Sequence, residues 1–372
     1  MRHWSISRRS FPTGRHKACK GLQLKTERGV LAAADLAGMM ADEQRTDEKM
    51  TATLGVVIIN YRTPDLVRRC IDALGPQLAG NDARAVIVDN FSDDGSADAI
   101  DAFLRGIAAD WKDRITLIRS PENTGFSGGN NIGIAAIDAE FYLLLNSDAL
   151  VRPGALERLV AAARANPRAG IVGPRLEDED GTAQISCFHF ISPMSEFLSA
   201  AETGPLDKMF ARFVVPRAVS QTPVESDWVS FACVLVRRAA IADAGLMDEG
   251  YFMYFEDADY CHAMKRAGWA SLFDPSARVV HLRGGSSPVK SSLKAKKRPP
   301  AYYYASRTRY FRKNYGPLGL YLANIGWLKG RAIARLRALF GKPAPLICEH
   351  QGADHWLNWR DQMGDRHAPK RD

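Results

Sequence analysis

The sequence predicts an α/β protein built on a doubly wound, mostly parallel sheet, carrying a basic helical extension at its C-terminal end. Three observations predict it. Strand and helix signals alternate from residue 55 onward, the pattern of a parallel sheet with helices on both faces. One run, Phe141-Tyr142-Leu143-Leu144-Leu145, is apolar at every position, as a strand covered on both faces must be. That run leads straight into Asn146-Ser147-Asp148, which puts a carboxylate at the rim where open α/β sheets bind ligands.

The elements follow in order. Gly55 to Tyr61 is an apolar, β-branched run and reads as the first strand. Thr63-Pro64-Asp65 then supplies a cap, a first-turn proline and a first-turn acid. Leu66, Cys70, Ile71 and Leu74 share one helical face, and Gly75-Pro76 is expected to stop that helix. Ala85 to Asp89 reads as a second strand, and Ser92-Asp93-Asp94-Gly95-Ser96 as a turn. A helix with Ile100, Phe103, Leu104 and Ile107 inward follows. Ile115 to Ile118 and Phe141 to Leu145 are further strands, and Pro153 opens a helix carrying Leu156, Leu159 and Val160. Beyond Ile171 the rhythm changes. Glu177 to Gly181 reads as a hairpin tip, and residues 188–225 as an irregular, substrate-facing region. Asp227 to Arg237 returns as one strand, Gly245 closes a short helix, Asp257 to Ala267 forms a helix stopped by Gly268, and Val279 to Leu282 is a last short strand. The expected organisation is an N-terminal extension or misplaced start over 1–52 and one catalytic domain over 53–285. A basic amphipathic helical region over 286–345 and a tail over 346–372 complete it.

Composition narrows the class. The chain has 372 residues, of which 46% are hydrophobic, enough for a large core. None of its six cysteines forms a C-x-x-C pair, which argues against a disulfide framework or a zinc site and for a reducing compartment. The formal charge is +8, and its placement says more: fifteen Lys or Arg and no Asp or Glu lie between Arg283 and Lys342. Such a run attracts an anionic partner. Within it, Tyr302 to Lys313 interleaves aromatic and cationic residues, suiting either nucleic acid or an acidic membrane surface, and Leu336, Leu339 and Phe340 give the following helix an apolar side.

Four segments end strands at one rim: Asn60-Tyr61, Asp89-Asn90, the glycine-rich Gly125 to Asn131, and Asn146 to Asp148. Asp89 can accept a base N–H, and Gly125, Gly128 and Gly129 let backbone come close to a ligand. The glycine spacing is neither the dinucleotide fingerprint nor a phosphate loop, which has a lysine. Asp148 can share a divalent cation with a substrate diphosphate, or cap the helix opened by Pro153. Glu256 and Asp257 follow the aromatic run Tyr251 to Phe255, which would desolvate a carboxylate and keep it basic; a first-turn acid matched to the helix dipole is the plainer alternative. His281, at a strand end, can approach the metal or be structural.

Together, Ile58 to Tyr61, Val88 to Asn90, Glu122 to Asn131, Leu145 to Asp148 and Phe255 to Asp259 resemble family 2 glycosyltransferases, nearest to the rhamnosyltransferase-like branch of bacterial polysaccharide assembly. The resemblance covers residues 54–285 with five motifs in order. It implies a GT-A fold with a Rossmann-like nucleotide-binding half and an acceptor half. It implies an inverting transfer from a dTDP- or UDP-sugar, with rhamnose one candidate, to a hydroxyl of a lipid-linked saccharide, with Mg2+ or Mn2+ as cofactor. Asn60 and Tyr61 would line the base pocket, Asp89 and Asn90 would hold the pyrimidine, and the glycine segment through Asn130 would meet the donor. Asn146 stands where the family's D-x-D has its first acid. Asp148, with His281 near it, would bind the metal, and Asp257, beside Glu256, would be the base. The location implied is cytoplasmic, at the inner face of the plasma membrane, with the basic region on the lipid and no nucleic acid bound. A noncatalytic nucleotide-sugar or polysaccharide binder on the same fold is the competing reading. A dinucleotide oxidoreductase is disfavoured because the first strand runs into Asn60-Tyr61-Arg62 without glycines.

Overall fold

A computed structural model of the chain describes residues 52–282 and 288–369; the N-terminal extension lies outside the described residues. The strands are β1 (Ala52–Asn60), β2 (Ala83–Asp89), β3 (Ile115–Arg119), β4 (Ala139–Asn146), β5 (Ala149–Val151), β6 (Ala169–Glu177), β7 (Cys187–Phe188), β8 (Val224–Ser226), β9 (Trp228–Val229), β10 (Cys233–Arg237) and β11 (Ala270–His281). The main sheet runs β3-β2-β1-β4-β10-β6-β11-β5, with β8 also on β11. Strands β3, β2, β1 and β4 are parallel, as are β6 and β11, while β10 inserts antiparallel between β4 and β6.

Alternation explains the double winding. Leu54, Val56 and Ile58 of β1 face one layer, made by helices α1 (Pro64–Leu78), α2 (Ser96–Gly106) and α4 (Ala155–Ala165). Val57 faces the other, with helices α3 (Gly125–Ala136), α6 (Arg238–Ala244) and α7 (Glu256–Arg266). Both faces of the central strands are therefore dry, as their unbroken apolar sequences require.

Several expectations need correction. Helix α1 runs on to Leu78 with Pro76 inside its last turn; the ring forfeits the bond to the Asp72 carbonyl without ending the helix. Thr63 precedes α1 but makes no capping bond; its hydroxyl joins Asn60 and Ser147 instead. Residues 188–225 hold helix α5 (Pro193–Ala201), started by a capping box in which Ser192 and Ser195 serve each other's backbone N–H. The expected strand over Asp227 to Arg237 is two strands, β9 and β10, broken between Ser230 and Ala232. Strand β11 begins at Ala270, well before Val279. Its register shifts between Asp274 and Arg278, so Pro275 sits in an irregularity that tolerates a missing donor.

Two helices, α8 (Ala301–Tyr315) and α9 (Gly319–Ala338), pack onto the body. The aromatic residues Tyr302, Tyr304, Tyr310 and Phe311 of α8 are buried, and so is Arg307. Three of the four α8 cations, Arg307, Arg309 and Lys313, are engaged internally. Arg307 pairs with Glu196 of α5 at 2.6 Å, and its guanidinium also donates to Asn324 of α9. Lys313 donates to Asp259 and Asp248, and Arg309 to Asp248. Burial pushes the Asp248 carboxyl up, but Arg309 and Lys313 outweigh that and hold it at about 2. The Tyr302–Lys313 segment is thus a packing element and does not present its rings to a lipid or nucleic acid. Among the described residues no helix is long and apolar enough to cross a membrane, and Cys70, Cys187, Cys233, Cys261 and Cys348 are buried free thiols.

Helix α9 meets α5 through glycines. A Cβ on Gly326 would stand 2.5 Å from the Pro193 carbonyl oxygen, and one on Gly330 2.3 Å from that of Phe197. Backbone on both helices blocks relaxation, so Gly330→Val should destabilise the protein by about 1–3 kcal/mol. A urea midpoint unchanged from wild type would contradict this contact.

Candidate functional site

A cavity of about 820 Å³ opens at the C-terminal rim of the parallel strands, with Asp148, Glu256, Asp257 and His281 in its wall. Residues more than a hundred positions apart meet there because of one strand pairing. After β4 ends at Asn146, the chain crosses through Ser147-Asp148 into β5, which lies antiparallel to β11 with Ala149 opposite His281. The Leu282 N–H donates to the Asp148 carbonyl at 2.9 Å, closing the pairing.

Asp148 is almost wholly buried, yet its Oδ1 has no hydrogen-bond partner. A buried carboxylate oxygen left unpaired carries a large desolvation cost. His281 Nε2 stands 3.7 Å from that oxygen. Gln184 sets the histidine. Its Nε2 donates to the Asp178 carboxylate at 2.6 Å and to the His281 carbonyl at 2.8 Å. Its Oε1 therefore faces His281 Nδ1, 3.2 Å away, which assigns the ring proton to Nδ1 and turns the Nε2 lone pair toward Asp148. One carboxylate, one oriented imidazole and a second-layer amide are a donor set that fits a divalent cation. Among the described residues no group of three or more His, Cys, Asp or Glu is arranged to hold a metal. The remaining ligands would therefore be substrate oxygens and water, as is usual for Mg2+ at phosphates.

The acidic pair stands at the start of α7, reached through two aromatic residues in left-handed backbone, Tyr254 (φ 72°) and Phe255 (φ 68°). For bulky residues this conformation is strained and persists only where packing dictates it. Phe255 is wedged between Tyr303 and Tyr310 of α8, each 5.5 Å away between ring centres, and Ser306 Oγ donates to the Met253 carbonyl. Glu256 is buried with Oε2 unpartnered. Burial first, then the neighbouring charges of Asp257 and Asp259, push its carboxyl well above the usual range and favour its protonated form. Asp257 is half-buried, and its Oδ1 accepts the Ala258 N–H at 2.8 Å.

The structure separates the other candidates into two groups. Tyr61, Asn90, Gly125 and Asn146 reach the cavity. Asn60, Asp89, Gly128, Gly129 and Asn130 stand behind its wall. Asn60 donates to Asp89 at 2.7 Å and to Ser92, and its Oδ1 accepts from Thr63. Asp89 accepts again from the Ser92 hydroxyl at 2.5 Å and its N–H. Asn90 holds the glycine segment by donating to the Gly125 carbonyl and accepting from Thr124. The glycines answer crowding rather than a ligand. Gly125 has φ +75° and lies so close to Phe252 that a Cβ would be 2.4 Å from its carbonyl oxygen, while Gly128 and Gly129 are pressed against Thr124 and Ile59. Asn130 donates to the Phe126 carbonyl within its own helix.

Sequence reasoning missed part of the wall. Phe188 and Trp228 stack at 4.1 Å, almost parallel, and present an aromatic surface suited to a sugar face. The two lie on β7 and β9, which only their pairing brings together. Tyr302 and Pro369 also line the cavity, and Arg366 ties the tail to the Thr124 and Glu249 carbonyls. The aromatic density of Tyr302 to Tyr304 was the available signal.

The model of the family described as glycosyl transferase family 2 matches residues 55–211. That segment is similar to the family 2 glycosyl transferases. The chain is a sugar-transferring enzyme, and its sheet is the mixed, mostly parallel α/β arrangement that the sequence predicted. Similar proteins include a Mycobacterium tuberculosis protein named N-acetylglucosaminyl-diphospho-decaprenol L-rhamnosyltransferase, 29% identical over 254 residues, covering 64% of this chain and 78% of that one. The Shigella flexneri dTDP-rhamnosyl transferase RfbF is 24% identical over 282 residues, covering 74% and 86%. Among solved structures, the mannosyltransferase PcManGT from Pyrobaculum calidifontis, in complex with GDP-Man and Mn2+, aligns with a TM-score of 0.49 at 12% identity, covering 82% of each chain.

The raised Glu256 pKa makes stability depend on pH in a defined direction. The folded state retains a proton that the unfolded chain releases above about 4.5. This contribution is complete below that pH and is lost as pH rises toward the folded value. Glu256→Gln removes the titration, so its melting temperature relative to wild type should rise between acidic and neutral pH. A difference that stays constant across that range would contradict a protonated Glu256.

Proposed function

We propose that this glycosyltransferase moves a deoxyhexose, rhamnose first among the candidates, from a dTDP-sugar to a hydroxyl of a polyprenol-diphosphate-linked saccharide, with inversion. The observation that carries this reading is the shared cavity: the unpaired Asp148 carboxylate and the Asp257 carboxylate face one space, large enough for a nucleotide-sugar and an acceptor sugar. The printed names of the similar proteins support the sugar and the lipid-linked acceptor.

Each residue then has a task. Tyr61, half-exposed at the cavity edge beneath the Arg62 guanidinium, offers a face to the base, and Asn146 a neutral amide to the ribose. Asn60, Asp89, Asn90 and the packed glycines keep the rim in shape behind them. Asp148 and His281 would hold Mg2+ or Mn2+, which when bound supplies positive charge to the departing diphosphate. Asp257 takes the proton of the acceptor hydroxyl as its oxygen bonds to the anomeric carbon and the bond to the diphosphate oxygen breaks. The helix start that carries Asp257 favours its anionic form beforehand. Protonated Glu256 donates a hydrogen bond into the cavity and does not compete as a base. The Phe188–Trp228 surface seats the apolar face of a sugar and excludes water.

Transfer from dTDP-rhamnose to a synthetic polyprenyl-diphosphate N-acetylglucosamine, followed by mass spectrometry, tests the substrates; transfer only from a UDP-sugar would replace the donor assignment. Asp257→Asn should lower kcat about 10²- to 10⁴-fold with donor affinity retained. A wild-type rate would remove the residue from the chemistry. Asp148→Asn should weaken donor binding in the presence of Mn2+ by about 10- to 100-fold in calorimetry and erase the effect of chelator. Donor affinity that still responds to metal in this variant would exclude Asp148 as its ligand.

A further inference from the structure

We infer that the outer face of α9 is a docking surface for an anionic bilayer. One side of this helix, with Leu320, Ala323, Trp327, Gly330 and Ala334, is buried against the body. The opposite side carries Leu318, Leu322, Ile325, Leu328 and Leu336, between 45% and 64% exposed, and continues into Leu339 and Phe340, about four-fifths exposed. The spacing of 318, 322, 325, 332 and 336 follows the helical repeat, with Ala332 completing the row, so the exposed residues form a continuous stripe rather than scattered positions. A stripe of this length is costly in water and marks a contact.

Charge identifies the partner. Three of the four α8 cations, Arg307, Arg309 and Lys313, are consumed by Glu196, Asp248 and Asp259. On and just after α9 they are not: among the described residues Lys329 and Arg335 of the helix, and Lys342 beyond its end, have no carboxylate partner. Lys329 stands within the apolar stripe and Arg335 at its margin. An apolar helical face edged by unpaired cations, in a segment without a single acid, matches the boundary between acyl chains and anionic headgroups. A second copy of the chain fits poorly, because a two-fold contact over this stripe would bury the cations of both copies in one dry interface with no acid on the segment to pair them.

Docking there has a consequence for the site. Helix α9 is held to α8 by the Arg307–Asn324 bond, and Tyr302 in the first turn of α8 lines the cavity. A lipid surface under α9 would therefore be mechanically connected to the acceptor side of the site. This deepens the lipid-linked acceptor reading, and rests on it only for that consequence.

The test is flotation of the full chain with phosphatidylcholine vesicles, with and without phosphatidylglycerol, a readout that needs no substrate. The protein should float with the phosphatidylglycerol vesicles, and less as salt rises. Lys329→Gln with Arg335→Gln should lower partitioning onto them about thirty-fold. Leu322→Glu with Leu336→Glu should lower it at least about tenfold, both pairs keeping the wild-type melting temperature because the side chains are exposed. Flotation unaffected by either pair would overturn the proposal. So would a wild-type dimer in solution that Leu336→Glu converts to monomer, which would assign the stripe to a second copy. Loss of rhamnosyl transfer with intact flotation would strike only the substrate assignment.

Discussion

The site depends on a three-residue strand. Because β5 pairs antiparallel with the end of β11, Ala149 stands opposite His281, and the carboxylate that ends the β4 segment is delivered to a histidine 133 positions away. The pairing also buries Asp148 with one oxygen unsatisfied, a cost that a bound cation would relieve. Gln184, held by Asp178, then turns the imidazole so that its lone pair addresses the same point. Removing any of these partners leaves a buried polar group alone, so the arrangement is mutually enforced.

The second half of the site is kept in place from outside the sheet. Two successive aromatic residues in left-handed backbone aim the start of α7, and nothing in that segment makes such a conformation comfortable. Helix α8 supplies the constraint, by ring packing on Phe255 and by ion pairs from Lys313 and Arg309 to Asp259 and Asp248. The extension that carries most of the chain's excess positive charge thus holds the start of α7 in place. Its two helices divide the labour: α8 turns Arg307, Arg309 and Lys313 inward, and α9 leaves Lys329 and Arg335 at the surface beside exposed leucines.

Two neighbouring acids acquire different characters from position alone. Glu256 is buried at the cavity wall with its carboxyl pushed well above the usual range, while Asp257 is half-buried beside it with a backbone N–H on one oxygen. Separating the protonation of adjacent carboxyls in this way is a common physical means of assigning acid and base roles.

Much was legible before any coordinates. Periodicity placed β1, β2, β3, β4 and the helices between them, since an apolar run or a helical stripe is a local property. Strand-end position marked Asp148, and the aromatic run before Glu256 marked the acidic pair. Less legible were features produced by distant partners. Asp89 and Asn60 looked like ligand groups because their residue types suit that task, but pairing across the β1 and β2 ends turned them toward each other. Gly128 and Gly129 looked like a ligand cradle and are crowded by Thr124 and Ile59. Tyr302 to Lys313 looked like a surface and is an interior. A chain's local pattern determines which segments are strands or helices and which faces are apolar, because those follow from neighbours a few residues away. Which polar side chains remain open to a ligand was decided only by tertiary structure, because hydrogen-bond satisfaction depends on groups brought from elsewhere in the chain.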